Sequence, residues 1–501
     1  GGAKGDRKMG KRQMQMEKQD QKQSSEAAFF WGCVQKGGGK VFTRQRDTSA
    51  SAVAALFGTQ MSSGINFAQY DAIPVARAGG GGTVGAIDEA AVPTLKDFAS
   101  LGPRLPPFAS CNLTGQDRMK YSVPTPIQRH TIPLSLAGHD VMACAQTGSG
   151  KTVAFLLPVI STAVGLGSRP TSQNSGAGKK DTPAKPSALV LAPTRELAMQ
   201  IEVECEKLCF GAPPPPSGAG LWTVCAYGGA NARPQLEALA CGVEVLVATP
   251  GRLTDYLNRD LVSLARCGIL VLDEADRMLD MGFEPQLRRI VEQADLPSTA
   301  QRQTMMFSAT FAPAIQAVAK KYLRQGFAHV TVGRVGSSTA SIAQSLLEVP
   351  APGDKRTKLA VLVSNNTLIA GERTIIFVQK KATATWLKRE LSKFGLRCDD
   401  IHGDRSQSQR ESALRDFSTG VVDVLVATDV AARGLDVPEV GHVVQFDLPV
   451  GDDFDSYVHR IGRTGRAGHK GRATSLYVHG YDPKTGNSAL WPDIKNLFQE
   501  N

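Results

Sequence analysis

From about residue 93 onward, short apolar runs rich in β-branched residues recur along the chain. They occupy residues 141–145, 188–191, 243–248, 269–272 and 305–307. Each is followed by a polar or glycine-containing turn and then by a stretch of helical periodicity. That alternation predicts βαβ units around a parallel sheet. Residues 333–341 (GRVGSSTAS) read as a linker. A second series follows at 374–378, 398–402, 424–428, 442–446 and 473–478, alternating with helical stretches at 382–394 and 408–417. Two tandem doubly wound parallel-sheet α/β domains are therefore expected, over residues 93–332 and 342–501. Segments 165–186 and 211–220, the second with four consecutive prolines, are expected as surface insertions. In open sheets of this kind, ligands bind at the carboxyl ends of the strands.

Residues 1–92 lack this pattern. They are rich in Gly, Ser, Gln and Ala, which predicts a mostly disordered arm. Phe29, Phe30 and Trp31 stand out in it as a candidate docking motif. Of the net charge of +10, most comes from this arm: residues 1–50 hold eleven Lys or Arg against five Asp or Glu. A basic arm points to a polyanion partner, although a solvated tail accounts for charge alone equally well. The bulk composition, 42% hydrophobic and 21% charged, fits globular domains. No apolar run approaches the roughly 18 residues of a membrane span, so no membrane association is expected. Nine scattered cysteines without CxxC spacing predict neither a disulfide framework nor a metal site, and suggest a reducing compartment. Neither a secretory signal pattern nor an initiator methionine opens the chain, so a missing N-terminus is expected.

Candidate chemistry lies at the predicted strand ends. Residues 145–152 (AQTGSGKT) follow the first run and open a helix. Gly148 and Gly150 let the backbone turn so that amide groups face phosphates. Lys151 is placed for the β- and γ-phosphates and the Thr152 hydroxyl for Mg²⁺. Ala145 stands where the general phosphate-loop pattern has glycine. Downstream, Asp273-Glu274-Ala275-Asp276 ends the run 269–272. Asp273 suits Mg²⁺, held through water, and Glu274 suits orienting and deprotonating an attacking water. Together they imply hydrolysis of a nucleoside triphosphate.

These motifs, in this order, resemble those of the DEAD-box RNA helicases of superfamily 2, over residues 98–477. The resemblance implies two RecA-like domains and gives the whole loop, with Gln146, Thr147 and Ser149, to ATP. Residues 121–128 (YSVPTPIQ) resemble the family's Q motif, with Tyr121, Thr125 and Gln128 at the nucleotide. An amide that donates and accepts suits the adenine edge. Lys120 replaces the family's glycine before the aromatic. The upstream aromatic on adenine would be Phe98, with Phe108 as a rival because the intervening segment is longer than usual.

Residues 457–466 (YVHRIGRTGR) carry arginines spaced by three, which suit phosphate recognition by planar forks. The resemblance makes Arg463 and Arg466 arginine fingers and brings His459 to the acidic motif. In residues 427–436 (ATDVAARGLD), it gives Asp436 the ribose hydroxyls and Thr428 an RNA phosphate. Ser308-Ala309-Thr310 would couple Asp276 to His459 through its hydroxyls. The RNA contacts implied are Pro193, Thr194, Arg195, Gly229, Thr249, Gly251 and Arg252 in the first domain. Gly403, Arg405, Gln407 and Arg410 join them in the second.

Longer strings, among them VMACAQTGSGKT and IHGDRSQ, resemble the Vasa-like subgroup, which includes the general translation-initiation helicases. Segment 487–501 resembles that subgroup's last helix cut before its end. The resemblance therefore implies an ATP- and Mg²⁺-dependent RNA helicase, monomeric, acting on single strands and short duplexes with little sequence preference. Translation initiation or mRNA metabolism in the cytoplasm, with protein partners, is the expected setting, with the nucleus also open. An ATP-gated RNA clamp whose partners determine its function is the alternative, and a DNA translocase a third reading.

Overall fold

The computed structural model describes residues 19–35, 47–58, 73–79, 92–145, 148–166, 183–212, 221–333, 342–351, 353–429, 440–451, 453–465, 470–482 and 486–500. Gln146, Thr147, Asp436, Arg466, linker residues 334–341 and most of both expected insertions lie outside the described residues.

Two sheets organise the chain. The first comprises β1 (Val75–Gly79), β2 (Val141–Cys144), β3 (Ala188–Leu191), β4 (Thr223–Ala226), β5 (Val245–Ala248), β6 (Ile269–Leu272), β7 (Gln303–Ser308) and β8 (Ala328–Val332). Their spatial order is β1-β8-β2-β7-β6-β3-β5-β4. Every pairing is parallel except that of β1, which runs antiparallel along β8. The second sheet comprises β9 (Ile342–Glu348), β10 (Thr374–Val378), β11 (Cys398–Ile401), β12 (Val424–Thr428), β13 (His442–Gln445) and β14 (Gly471–Tyr477). It is wholly parallel, in the order β11-β12-β10-β13-β14-β9. This is the doubly wound pair that the apolar runs predict.

Alternate side chains of each central strand enter opposite cores. Val141, Ala143, Val190, Val271 and Phe307 share one, while Met142, Leu189, Leu270 and Met306 share the other. In the second domain Ile376 and Val426 face one core and Ile375 and Leu425 the other. Helices cover both faces, so these strands read as continuous apolar runs without polar alternation. Among the described residues no helix is long and apolar enough to cross a membrane.

Three segments of the first 92 residues differ from the expected arm. Residues 19–35 form a helix with Gln23, Glu26, Ala27, Phe30, Trp31 and Val34 along one half-buried to buried stripe, spaced by three and four. Phe30 and Val34 enter the core that holds Leu236, Leu253 and Tyr256. Full burial of a phenylalanine stabilises by about 1.5–3 kcal/mol, enough to fix a short helix of ordinary propensity. The helix Ala50–Phe57 is capped by Ser49, whose hydroxyl accepts from Ala52 N. Its Phe57 packs edge-on against Phe210 at 5.6 Å. From β1, Arg77 Nε donates to His130 Nδ1 (2.8 Å) and Nη1 to the Val92 carbonyl (2.8 Å).

Two neutral histidines sit inside this framework. Burial, followed by Arg77 and Arg129, pushes His130 down to about 4. Burial, with Arg472 nearby, pushes His442 down to about 3. Above the ordinary histidine range neither costs stability. As pH falls below about 6.5, the unfolded chain takes up protons that the folded chain refuses, so stability declines. For the fully buried His442 the slope approaches about 1.4 kcal/mol per pH unit. Thermal melting between pH 7 and pH 4 should therefore fall more steeply for the native chain than for His442→Asn, and equal slopes would contradict this account.

Candidate active site

The phosphate loop runs from the end of β2 into the helix Lys151–Leu166. Gly148 and Gly150 have φ of 81° and 91°, the left-handed region that favours glycine. A Cβ at Gly150 would lie 2.6 Å from Gln128 Nε2 and 2.9 Å from Thr125 Oγ1. Those two side chains brace the loop. Thr125 Oγ1 donates to the Ser149 carbonyl (2.7 Å), and Gln128 Nε2 to the Gly150 carbonyl (3.0 Å). Gln128 Oε1 accepts from Thr125 N, completing a capping box on the helix Pro126–Leu136. Lys151 Nζ donates to the Ala145 carbonyl (2.8 Å) and spans the loop; Thr152 beside it is half-buried. Phe98 is buried and meets Tyr121 edge-on at 6.2 Å, while Phe108 packs partly buried on the same core. Lys120 adopts φ 58°, so the lysine occupies the left-handed conformation a glycine would take without strain.

The acidic motif follows β6. Glu274 sits at φ 50°, ψ 53°, a conformation costing a non-glycine residue roughly 1–2 kcal/mol. Its backbone N–H donates to Asp273 Oδ1 (3.0 Å), and its own Oε2 is buried without a hydrogen-bond partner. Burial pushes the Asp273 carboxyl up to about 7; Lys151 opposes this and Glu274 adds to it. Strained backbone, a raised carboxyl and an unpartnered oxygen at one strand end form the arrangement that a functional site, not a helix cap, leaves behind.

Asp276 is satisfied instead. Its Oδ2 accepts from Ala309 N (3.0 Å), Thr310 N (3.0 Å) and Thr310 Oγ1 (3.2 Å), and its Oδ1 from Arg277 N (2.9 Å). Across the cleft, His459 Nε2 from the helix Phe454–Ile461 lies 3.8 Å from the same Oδ2. Burial, then Arg277, hold His459 well below its usual range against the pull of Asp276. Burial also opposes ionisation of Asp276, but Lys151 and the Ser308 hydroxyl act against it and keep the carboxyl low. With His459 neutral, the hydrogen bonds and Lys151 are what sustain the charge. Arg463 is buried and its Nε donates to the His459 carbonyl (3.1 Å).

Several residues that the resemblance gave to RNA have other partners. Arg410 Nη2 pairs with Glu196 Oε1 across the domains at 2.5 Å. Arg195 Nη1 donates to Gln407 Oε1 (3.3 Å), also across the domains. Arg405 is held within its own domain by Asp400 and by Asp399 at 3.4 Å. Arg410, Arg195 and Gln407 are engaged because guanidinium and amide groups at the cleft find acids and amides on the facing wall, whereas Arg405 finds its acids on a strand of its own domain. Arg252 Nε donates to the Tyr227 carbonyl (3.1 Å) and Nη1 to Asp255 (3.3 Å). Gly229, at φ 81°, takes a conformation that favours glycine, and a Cβ there would meet Arg195 Nη1 at 2.1 Å, so that side chain would have to move. The Thr194 hydroxyl caps the helix Arg195–Leu208 by accepting from Leu197 N, after a buried Pro193. Thr249 begins the helix Pro250–Asn258 with no side-chain capping bond. Gly251 and Gly403 are exposed, and Thr428 ends β12 nearly buried.

Sequence reasoning passed over Glu196 and Arg460. Arg460 grips Asp429 with two bonds of 2.6 Å, tying the residue just beyond β12 to the helix Phe454–Ile461. A buried arginine beside a predicted strand-end aspartate was the available signal.

Comparison with known proteins agrees with this architecture. The profile described as DEAD/DEAH box helicase matches residues 125–318, and that of the helicase conserved C-terminal domain matches residues 354–468. Yeast (S. cerevisiae) Dbp5 bound to RNA and ADP BeF3 is 30% identical, with a TM-score of 0.65, over 81% of this chain and 94% of that one. A yeast Dbp5 variant bound to a Gle1 variant and IP6 matches with the same identity and coverage at a TM-score of 0.58. The chain belongs to the DEAD-box family. It is an ATP-dependent RNA helicase of superfamily 2 built from two RecA-like domains.

Removing one partner of a buried ion pair across an interface costs about 2–5 kcal/mol. Arg410→Ala should therefore weaken domain closure, measured as reduced energy transfer between dyes on the two domains with nucleotide and RNA present. Unchanged transfer would show that the Glu196 pair does not hold the cleft.

Proposed function

We propose that the chain separates short RNA duplexes locally, by closing its two domains around one strand in a cycle of RNA-stimulated ATP hydrolysis. The observation that carries this reading is the Glu196–Arg410 ion pair that joins the domains, with His459 approaching Asp276 to 3.8 Å beside it. These side chains belong to the nucleotide motif and to the loops that face RNA. Each ligand thus favours the arrangement that the other needs, and coupling is reciprocal.

In this reading the loop 145–152 and Lys151 bind the triphosphate. Gln128 spends one N–H on the loop and one lone pair on the Thr125 amide, and keeps the other of each for the adenine edge. Asp436 takes the ribose. Thr152 and Asp273 fit Mg²⁺, since a carboxyl raised by burial is one that a cation would stabilise in its charged form. The ion would supply charge neutralisation on the phosphates. Glu274 orients the attacking water and accepts its proton. Arg463, with Arg466, stabilises charge on the transferred phosphoryl group. Fingers supplied by the second domain make hydrolysis conditional on closure.

Pro193, Thr194, Gly229, Thr249, Gly251 and Arg252 line one wall of the RNA path, and Gly403 and Thr428 the other. Backbone amides, hydroxyls and one guanidinium suit sugar and phosphate, which gives little sequence preference and strong salt dependence. The strings resembling the Vasa-like subgroup support a monomeric enzyme of translation initiation or mRNA metabolism in the cytoplasm. The Gle1-bound Dbp5 structure supports a protein partner.

Glu274→Gln should lower RNA-stimulated phosphate release by about 10²–10⁴-fold while ATP-dependent RNA binding persists. Near-normal turnover would remove Glu274 from its assigned role. For the native chain, stimulation by single-stranded RNA but not DNA, together with strand separation, supports the helicase cycle. Long retention of RNA with little strand separation makes the protein an ATP-gated clamp.

A further inference from the structure

The helix over residues 19–35 rests on the two helices that follow the RNA-facing loops of the first domain, Ala232–Ala240 and Pro250–Asn258. Its apolar anchor is Phe30, fully buried, with Phe29 under the Arg233 guanidinium at 5.3 Å. Its polar contacts converge on one carboxylate. Gln23 Nε2 donates to Asp255 Oδ1 (3.2 Å), and Glu26 Oε2 accepts from Arg259 Nη1 (3.1 Å). That same Arg259 Nη1 also reaches Asp255 Oδ2 (3.0 Å), the oxygen that accepts from Arg252 Nη1 at 3.3 Å. Arg252 and Arg259 both lie over the Tyr256 ring, at 5.4 and 5.9 Å.

We propose that residues 19–35 are a built-in part of the RNA wall, in which Gln23 and Glu26 position Arg252 for RNA phosphate through Asp255 and Arg259. The inference rests on the reading of Arg252 as an RNA contact. With Nε on the Tyr227 carbonyl and Nη1 on Asp255, the planar group is held by the protein at two of its three nitrogens. The Nη2 edge then presents its donors in a set orientation. Gln23 fixes the Asp255 carboxylate from its other oxygen. Glu26 gives Arg259 an acid of its own, so that Asp255 remains available to Arg252. Without the helix, Asp255 loses a donor and has to serve two arginines alone. Arg252 then has to be ordered when RNA arrives, and ordering a rotamer-rich side chain costs affinity. The carboxylate brought by Glu26 does not repel RNA at close range, because Arg259 neutralises it at 3.1 Å.

The test uses the full chain, with fluorescein-labelled oligouridine as probe. The double variant Gln23→Ala/Glu26→Gln and, separately, Phe30→Asp should each raise the Kd and the KM for RNA about three- to tenfold. The kcat at saturating RNA and the RNA-free hydrolysis rate should stay unchanged. A merely structural role would move these as well. The double variant leaves the apolar contact intact and so separates positioning from loss of fold, which melting curves check for Phe30→Asp. In an Arg252→Ala background, neither change should have a further effect. If Arg252→Ala weakens binding but the helix variants do not, or if they tighten it, the proposal is overturned while Arg252 keeps its role. If Arg252→Ala itself leaves RNA affinity intact, the reading of Arg252 fails and the inference falls with it.

Discussion

A single buried carboxylate ties the chemistry of this enzyme to the arrangement of its domains. Asp276 lies where an isolated charge would cost several kcal/mol, so it is tolerated only with its hydrogen bonds in place. Those bonds come from residues 308–310, at the end of the neighbouring strand, and from the start of its own helix. The adjacency of β6 and β7 is therefore a condition of the site as well as a feature of the sheet. The remaining face of the carboxylate meets His459 from the other domain. A neutral imidazole is sensitive to direction, and its attraction for a carboxylate falls off more steeply with distance than that of a charge would. Closure is consequently read as geometry: the second domain has to arrive in register for the pair to form.

The two sheets were legible in the sequence because their central strands are covered on both faces. Val190, Leu270 and Val426 each face a core, so the runs that contain them carry no polar interruption. The strands that escaped notice include edge elements. β1 alternates half-buried and exposed positions and β9 is buried only at its first residue, and a half-exposed strand of five or seven residues resembles a loop in composition. The helix over residues 19–35 escaped for a related reason. Its stripe mixes Gln23 and Glu26 with Phe30 and Val34, and its surroundings are glycine- and glutamine-rich. Only contact with the first domain gives those polar residues partners.

The site divides in the same way. The phosphate loop and the acidic motif are contiguous, and their residue types state their chemistry. Arg195, Arg405, Gln407 and Arg410 are contiguous too, yet their partners are not. Glu196 and Gln407 come from opposite sides of the cleft, while Asp399 and Asp400 lie on the strand that leads into the Arg405 loop. An arginine bonded to the facing domain and one bonded within its own look alike along the chain. The difference resides in tertiary contacts that spacing does not encode.

The antiparallel pairing of β1 has a consequence for how much of the chain forms a folding unit. β8 is the last strand of the first domain, and Gly333 just beyond it donates to the Pro74 carbonyl (2.9 Å). Chain entry and chain exit are thus laced together at one border of the sheet. A fragment begun at residue 125, where the helicase match starts, would strip β1 from β8. The bared strand, with its row of unpaired N–H and C=O groups, is a template for joining another chain. The segment before residue 80 therefore acts as a guard on solubility, and the catalytic motifs alone do not delimit a self-sufficient domain.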